Sequence, residues 1–243
     1  MDSPSLSRTP SPLNQAFQRR LNSYALSAAA GVGTLALALP AEGKVVYTPA
    51  HLLISTSDPQ HWYPLDLNHD GVRDFSFSAY PVAGMSSQFA FLRCDFPGTN
   101  RVLAAPISAR EQGHAAAFPP GARIGPEPEY GALMARVGIF TNSRTYQGAW
   151  ANGGKGVKDR YLGLKFAING KTHYGWARLN VKVGYSNEVY INAVLTGYAY
   201  ETVANKPIIT GKTKGADVVT VQPVSLGQLA RGAAVLPIKT REP

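Results

Sequence analysis

Apolar and polar residues alternate over several stretches of the chain, with the period of two that is typical of half-buried β-strands. Residues 44–55 and 61–80 carry alternating or continuous apolar patterns, interrupted by the turn-forming sequences Ser-Asp-Pro and Asn-His-Asp-Gly. Residues 188–201 alternate in the same way. We therefore predict an all-β fold, an antiparallel β-sandwich of jelly-roll or lectin-like type.

The clearest predicted element is a hairpin around Asn169-Gly170, because this dipeptide readily accepts positive φ at both turn positions. A two-residue turn there places Gly163 opposite Trp176. One face of the hairpin is then apolar and forms a core face, whereas the other is aromatic and cationic. The apolar face carries Leu162, Leu164 and Phe166.

The aromatic and cationic face has two interpretations. Amphipathic rings can stack against sugars, so the face could bind carbohydrate. Alternatively, a second sheet or the segment at residues 115–130 covers it. Continued alternation along residues 188–201 adds tyrosines to the same face. The candidate ligand-binding residues are Tyr161, Tyr174, Trp176, Arg178 and Tyr198.

Composition supports strands and narrows the chemistry. The chain has 24 Gly and 18 Pro residues, and only 16% of its residues are charged. This mixture favours short strands and turns over helices. A single cysteine excludes a disulfide framework and any zinc site built from several cysteines.

The first 43 residues resemble an export signal. Arg19 and Arg20 precede an unbroken apolar and small-residue run at 24–39, and Ala41-Glu42-Gly43 fits a small-x-small cleavage site. A run of this length is shorter than the roughly 20 residues that span a bilayer. We expect a cleaved signal helix, no membrane span afterwards, and a secreted or envelope-associated protein.

The remaining sequence divides unevenly. We assign residues 44–211 to the sandwich, with residues 115–130 as a long Pro- and Gly-rich loop, and residues 212–243 to a C-terminal tail. The net charge of +9 favours a glycan or an anionic envelope polymer as a partner. The lysines and arginines are dispersed and no nucleic-acid-binding motif accompanies them, so we expect no specific nucleic-acid binding.

The strongest chemical motif lies at residues 66–74, which read Asp-Leu-Asn-His-Asp-Gly-Val-Arg-Asp. Oxygen ligands at loop positions 1, 3 and 5 with glycine at position 6 are typical of calcium loops, although position 12 is Phe77 instead of glutamate. The alternative is a metal-free turn rich in Asp and Asn. The predicted Ca²⁺ ligands are Asp66, Asn68, Asp70 and Asp74 through their side chains and Val72 through its carbonyl.

Enzyme motifs are absent from the sequence. Cys94 lies in an apolar strand and His173 on the hairpin's core face, which favours structural roles for both. No nucleophile elbow, phosphate loop or dinucleotide fingerprint occurs. A glycosidase would need two carboxylates close together, and no tight acidic pattern supplies them.

Three blocks, at residues 161–166, 171–179 and 197–201, resemble a sequence found in uncharacterised secreted bacterial proteins, including the PEP-CTERM class of sorted exoproteins. The 66–74 loop resembles the hairpin calcium loops of FG-GAP repeats. The resemblance implies an exported β-rich protein at the cell surface or in the matrix, and it implies no catalytic residues.

Taken together, these patterns predict a non-catalytic β-sandwich with a structural calcium loop and an aromatic sheet face suited to carbohydrate. Two alternatives stay open. One is an extracellular polysaccharide hydrolase with its site in residues 81–160, and the other is a purely structural matrix protein.

Overall fold

Strand-forming sequence dominates the computed structural model, which describes residues 43–104, 114–126, 131–141 and 143–222. Apart from one 3-10 turn at Asn152–Gly154, these residues contain no helix. No helix among them is long and apolar enough to cross a membrane. The predicted signal peptide lies outside the described residues except for Gly43.

The described residues form thirteen strands. They are β1 (Val45–Ser55), β2 (Trp62–Leu65), β3 (Phe75–Ala83), β4 (Ser87–Asp95), β5 (Arg101–Val102), β6 (Arg123–Ile124), β7 (Leu133–Phe140), β8 (Ser143–Gln147), β9 (Val157–Ile168), β10 (Lys171–Ser186), β11 (Glu188–Glu201), β12 (Ile208–Ile209) and β13 (Val218–Thr220). The predicted all-β class is confirmed.

Two main sheets form the sandwich. The six-stranded sheet has the order β13-β1-β11-β10-β9-β5, and the five-stranded sheet has the order β2-β3-β4-β7-β8. Most neighbouring strands are antiparallel and consecutive, which is meander connectivity and not the paired Greek keys of a jelly roll. The antiparallel sandwich that we predicted is therefore present, with β1 added beside β11 in the six-stranded sheet.

The main core lies between the two sheets. Each long strand turns every second side chain inward, so that one face of each sheet is apolar. Phe75 and Phe77 of the five-stranded sheet and Leu164 and Phe166 of the six-stranded sheet are buried in this core, with Phe75 edge-on to Phe166 at 6.5 Å between ring centroids. Burial of these rings is the main source of the sandwich's stability.

A second, smaller core lies on the outer side of the six-stranded sheet. Residues 114–126 cross this side, and the backbone of Phe118 exchanges two hydrogen bonds of 2.9 Å with Tyr161 of β9. β6 then pairs with β12, which brings Ile124 and Ile208 over the sheet. The predicted loop is therefore largely a cover for one half of the sheet.

The β9–β10 hairpin has the predicted register. Asn169 has φ 50° and Gly170 has φ 74°, as a two-residue turn with positive φ at both positions requires. Gly163 lies opposite Trp176 and Leu164 opposite Gly175. The two-residue turn therefore sets the register of the hairpin as far as the Leu179–Arg160 pair, beyond which the register shifts.

A β-bulge interrupts β11. Arg178 of β10 pairs with Gly197, whereas the next residue, Leu179, pairs with Leu195, so Thr196 has no partner in β10. One extra residue reverses the faces on which all later side chains of that strand lie. Ala193 and Leu195 therefore face the main core before the bulge, and Tyr198 faces it after the bulge.

The sandwich does not end at Gly211, where the sequence placed the start of a tail. β13 pairs in parallel with β1, with Val45 opposite Val218, and the backbone N–H of Val45 donates to the carbonyl of Asp217 at 2.8 Å. Three residues with little periodicity could not reveal this strand from sequence. Residues 223–243 of the predicted tail lie outside the described part of the chain.

Candidate functional site

The 66–74 loop joins β2 to β3, and Asp66 organises it. Asp66 Oδ1 accepts a hydrogen bond from the backbone N–H of His69 at 2.7 Å, and Oδ2 accepts one from Gly71 at 2.8 Å. Gly71 has φ 85°, a left-handed conformation that glycine adopts at little cost. The sharp turn predicted at this glycine is therefore present, and the loop closes around the Asp66 carboxylate.

Two further side-chain oxygens lie beside this carboxylate. Asp70 Oδ1 accepts from the backbone N–H of Val72 at 2.8 Å, and Asn68 Nδ2 donates to Asp70 Oδ2 at 2.9 Å. The loop thus gathers the side chains at positions 1, 3 and 5. Such hydrogen bonds also form in metal-free Asx turns, so the turn geometry is compatible with both interpretations of the motif.

Asp74 differs from the other acidic residues of the loop because it is buried. Its Oδ2 accepts a hydrogen bond from the backbone N–H of Leu67 at 2.8 Å. Burial, with a smaller contribution from the negative charges of Asp66 and Asp70, raises the pKa of Asp74 to about 6 against the lowering effect of the Leu67 hydrogen bond. The three carboxyl groups are therefore close enough to repel one another.

This pKa predicts a pH dependence of folding in metal-free protein. A carboxyl group whose pKa is higher in the folded state binds protons more strongly there, so its stabilising contribution is complete below pH 3.8 and is lost as the pH rises to about 6. One pKa unit corresponds to about 1.4 kcal/mol, so the upper bound is roughly 3 kcal/mol. Urea unfolding between pH 4 and about pH 7 measures this trend.

The control for the pH experiment is Asp74→Asn, which keeps an oxygen acceptor for Leu67 and cannot ionise. The difference in unfolding free energy between wild type and Asp74→Asn should shift in favour of the variant as the pH rises. A difference that does not vary with pH would contradict a raised pKa at Asp74.

His69 attaches the loop to the six-stranded sheet. Its Nε2 is 2.8 Å from Thr48 Oγ1, and its ring centroid is 5.8 Å from that of Tyr198. His69 has φ 63°, an uncommon conformation for a side chain other than glycine or asparagine. The sequence alone does not indicate this role of His69, because its partners come from distant parts of the chain.

The donor set of the loop suits a hard cation. Ca²⁺ prefers six to eight oxygen ligands, and Asp66, Asn68 and Asp70 place carboxylate and amide oxygens on one turn. Phe77, at position 12, is fully buried in the core and supplies no oxygen. Within the described residues, no three His, Cys, Asp or Glu side chains form a ready-made metal site. Calcium binding would therefore need the Asn68 amide and backbone carbonyls as well as carboxylates.

The predicted aromatic binding face is covered. Tyr161, Tyr174 and Trp176 are at most 4% exposed, and all three belong to the outer core beneath residues 114–126. A Cβ built on Gly163 would lie 3.0 Å from the Phe118 ring, which shows how closely the cover packs. The interpretation of these three residues as a ligand surface was therefore wrong, and the covered alternative is confirmed. The segment that covers these rings has no recognisable period, so the sequence alone could not decide between the two interpretations.

Tyr198 does not share a face with those rings. The bulge at Thr196 turns Tyr198 toward the main core. There the Tyr198 side chain is 9% exposed, and the residue lies opposite Thr48 of β1. The prediction extended the alternation of β11 without interruption and placed Tyr198 on the wrong face. The local signal that could have marked the extra residue is Gly197, because a glycine inside an alternating strand often accompanies a bulge.

Arg178 is also committed to the fold. Its Nε donates to Thr196 Oγ1 at 2.7 Å, and one terminal nitrogen donates to the Thr196 carbonyl at 3.2 Å. The same nitrogen is 3.5 Å from the Tyr47 hydroxyl. The guanidinium thus secures the bulge, and its predicted place in a ligand surface was wrong.

The outer face of the five-stranded sheet carries other rings, which pack on one another. Tyr80 and Phe91 stack with their centroids 5.3 Å apart, and Arg136 Cζ lies 4.4 Å above the ring of Phe89. Because neighbouring side chains occupy these ring faces, they offer no flat platform for a sugar.

Beyond the bulge, the outer side of the six-stranded sheet is open. We call this region the open half; its side chains on β10 and β11 are Asn180, Lys182, Tyr190, Asn192 and Val194, none of which is buried. Two clefts lie along it. The lysine cleft, of about 460 Å³, is lined by Lys155, Lys158, Asn180 and Lys182 together with Gly156, Val157 and Val181. The polar cleft, of about 680 Å³, is lined by residues that include Glu188, Tyr190 and Asn192.

Sequence reasoning missed these clefts. Lys155 lies within the Gly-rich sequence at residues 152–156, Lys158 follows it closely, and Lys182 lies more than twenty residues further along the chain. Only the pairing of β9 with β10 brings the three lysines together.

The structural roles predicted for Cys94 and His173 are confirmed. Cys94 is fully buried, and burial raises the pKa of its thiol well above the usual value. His173 is buried, and its Nδ1 is 2.9 Å from the carbonyl of Glu201. Neither side chain lies at an open surface.

No protein-family model, curated protein or solved structure matches this chain. The resemblance to secreted bacterial proteins therefore stays a prediction.

Proposed function

We propose that this chain is an exported, non-catalytic β-sandwich, at the cell envelope or secreted, whose 66–74 loop binds Ca²⁺ and stabilises the β2–β3 hairpin. The observation that carries the calcium proposal is the closed turn, which brings side-chain oxygens of Asp66, Asn68 and Asp70 together at loop positions 1, 3 and 5. A divalent cation among these oxygens would relieve the repulsion between the carboxylates.

The location of the loop explains why the ion's role would be structural. Through His69 the loop contacts Thr48 and Tyr198 of the six-stranded sheet, while its ends continue into the five-stranded sheet. An ion that holds the loop would therefore strengthen the connection between the two sheets of the sandwich.

Three features support a non-catalytic role. The polar cleft contains one carboxylate, Glu188, and the lysine cleft contains none. A third cleft, near Lys44, contains one carboxylate, that of Asp217, which forms an ion pair with Lys212. A glycosidase would need two carboxylates roughly 5–10 Å apart in one site.

A purely structural matrix protein is the second candidate function. The observation that favours it is the burial of Tyr161, Tyr174 and Trp176, since these rings stabilise the fold instead of meeting a ligand. The two functions differ in whether the open half of the six-stranded sheet binds a partner.

Thermal unfolding with excess calcium and with chelator tests the calcium proposal. An ion at 100 times its dissociation constant adds about 2.7 kcal/mol of stability, which raises the melting temperature by several degrees. The double variant Asp66→Asn/Asp70→Asn removes two charges and keeps amide oxygens for the turn. We expect this variant to lose most of the calcium-dependent shift.

The control is Asp159→Asn, which removes a carboxylate from an exposed position near the start of β9, outside the loop. Asparagine also tolerates the positive φ of 49° at that position. The control should keep the full shift. Wild-type protein that melts at the same temperature with calcium and with chelator would reduce the motif to an Asx turn.

A further inference from the structure

We propose that the lysine cleft and the adjoining open half bind a linear anionic polysaccharide, with the lysines contacting its acidic groups and the neighbouring amides contacting its hydroxyls. This inference rests on the proposed function, in which the chain acts outside the cytoplasm, and it adds the class of partner that the chain binds. It also replaces the covered aromatic face with a different part of the same sheet.

The three lysines of the cleft are exposed and carry uncompensated charge. Within the described residues, the side chains of Lys155, Lys158 and Lys182 have no ion-pair or hydrogen-bond partner. By contrast, Lys206 pairs with Glu201 at 3.0 Å. Several positive charges around a single cleft concentrate the positive electrostatic potential there and attract anionic groups.

The backbone holds this cleft in a defined shape. Gly156 has φ 66°, and a Cβ there would lie 2.2 Å from the carbonyl oxygen of Val181, so only glycine permits β9 to approach β10 this closely. The register then shifts between Leu179 and Val181, and the amide oxygen of Asn180 accepts a hydrogen bond of 2.7 Å from the backbone N–H of Asp159. The lysines therefore project from a fixed edge of the sheet and not from a loose linker.

Amide and hydroxyl groups continue from the lysines across the open half. Lys182 lies directly opposite Asn192 on β11, so their side chains are about 5 Å apart at Cβ. Asn192 lies opposite Ser55 of β1, whose hydroxyl donates to the Asn192 amide oxygen at 2.6 Å, leaving the Asn192 amide nitrogen for another acceptor. This row across three strands suits the hydroxyls and ring oxygens of a sugar chain.

The same surface is poorly suited to a nucleic acid. Single strands bind through successive bases that stack on aromatic side chains, and Tyr190 is the only ring among the open-half residues that we describe. A polysaccharide needs no row of rings, since its charged groups and hydroxyls are read by cations and amides.

The nearby acidic residues limit where the polymer lies. Asp159 is close in sequence but does not line the lysine cleft. Glu188 lines the polar cleft at the first residue of β11, four positions from Asn192, or about 13 Å along the strand. We therefore place the anionic groups of the polymer at the lysine cleft and the Asn192 row, away from Glu188.

The experiment measures binding of hyaluronan, a linear uronate polymer, by calorimetry in the presence of chelator. Wild type is compared with Lys155→Gln/Lys158→Gln/Lys182→Gln and with a control, Lys44→Gln/Lys171→Gln/Lys214→Gln, which removes the same charge from exposed lysines elsewhere. Neutral dextran and oligo(dT) serve as a sugar without charge and as a nucleic acid.

We expect wild type to bind hyaluronan and not dextran, and to bind it more weakly as the salt concentration rises, because exposed charges are screened. The cleft variant should bind hyaluronan about tenfold more weakly, because it loses three ion pairs of modest strength. The affinity of the control variant should change by less than about threefold. Far-ultraviolet circular dichroism confirms that both variants keep the β-sheet signal of wild type.

Three results would overturn the proposal. They are no hyaluronan binding by wild type, equal weakening in both triple variants, and binding of oligo(dT) with the same dependence on the cleft lysines. The calcium-dependent melting shift of wild type separates this proposal from the calcium loop. A wild-type protein that shows the shift but does not bind hyaluronan contradicts the polysaccharide site alone.

Discussion

Trp176→Ala should destabilise the sandwich by about 3–5 kcal/mol, the usual cost of truncating a fully buried tryptophan. Trp176 is 0% exposed, and its ring lies 5.1 Å from Tyr161 and 5.9 Å from Tyr47, centroid to centroid. The truncation leaves a cavity between the six-stranded sheet and residues 114–126, which backbone hydrogen bonds hold in place. The melting temperature should fall by on the order of 10 °C.

Trp62→Ala is the matched control for this experiment. Trp62 is 43% exposed, and its ring faces Arg73 at 5.1 Å, so its removal should cost less than about 1 kcal/mol. Both variants are compared by guanidinium unfolding. Equal stability of the two variants would mean that residues 114–126 do not cover Trp176 in solution.

Trp176→Phe separates packing from hydrogen bonding at the same site. The indole nitrogen of Trp176 is buried and has no hydrogen-bond partner among the residues that the structure describes, so its loss removes an unsatisfied polar group. We expect Trp176→Phe to cost clearly less than Trp176→Ala, because phenylalanine fills most of the space.

Deletion of Thr196 should destabilise the protein by more than about 4 kcal/mol, beyond the range of ordinary substitutions. Without the bulge, β11 forms one continuous register with β10, and the residues after the deletion change faces. Tyr198 would then point into the outer core, and Ala199 would leave a gap in the main core. Arg178 would also lose both of its hydrogen bonds to Thr196.

Thr196→Ser keeps the length of the strand and the hydroxyl that Arg178 contacts. This substitution should change the unfolding free energy by less than about 1 kcal/mol. Chemical unfolding followed by circular dichroism compares the two. A deletion variant as stable as Thr196→Ser would show that β11 tolerates a change of register.

The elements that the sequence predicted correctly have strong local determinants. Asn169-Gly170 requires one turn geometry, and this turn in turn determines the register of β9 and β10. The alternation of residues 188–201 predicts the bounds of β11, although it does not predict the bulge at Thr196. The Asp and Asn positions of the 66–74 loop likewise produce a closed turn between two strands, as local hydrogen bonding predicts.

Residues 81–160 gave no clear pattern because several of their strands are apolar on both faces. In β4, Ala90 and Leu92 face the main core while Phe89 and Phe91 face outward and pack against Tyr80 and Arg136. The period-two signal disappears when both faces are apolar. This part of the five-stranded sheet therefore became visible only in the structure.

The site predictions succeeded or failed according to whether the site depends on neighbouring or on distant residues. The 66–74 loop depends on residues within nine positions of one another, so its geometry is a local property of the sequence. The aromatic face and the lysine cleft depend on what lies above the sheet and on which strands are neighbours, and those are contacts between distant residues.

The sequence by itself determined the all-β class, the β9–β10 register and the closed Asp66 turn, since turn chemistry and strand alternation act between near neighbours. Only the tertiary structure decided that residues 114–126 bury Trp176, that Thr196 turns Tyr198 inward, and that Lys182 meets Lys155 and Lys158. Which face of a strand meets solvent is settled by the other elements that pack on it, and a strand's own sequence does not contain them.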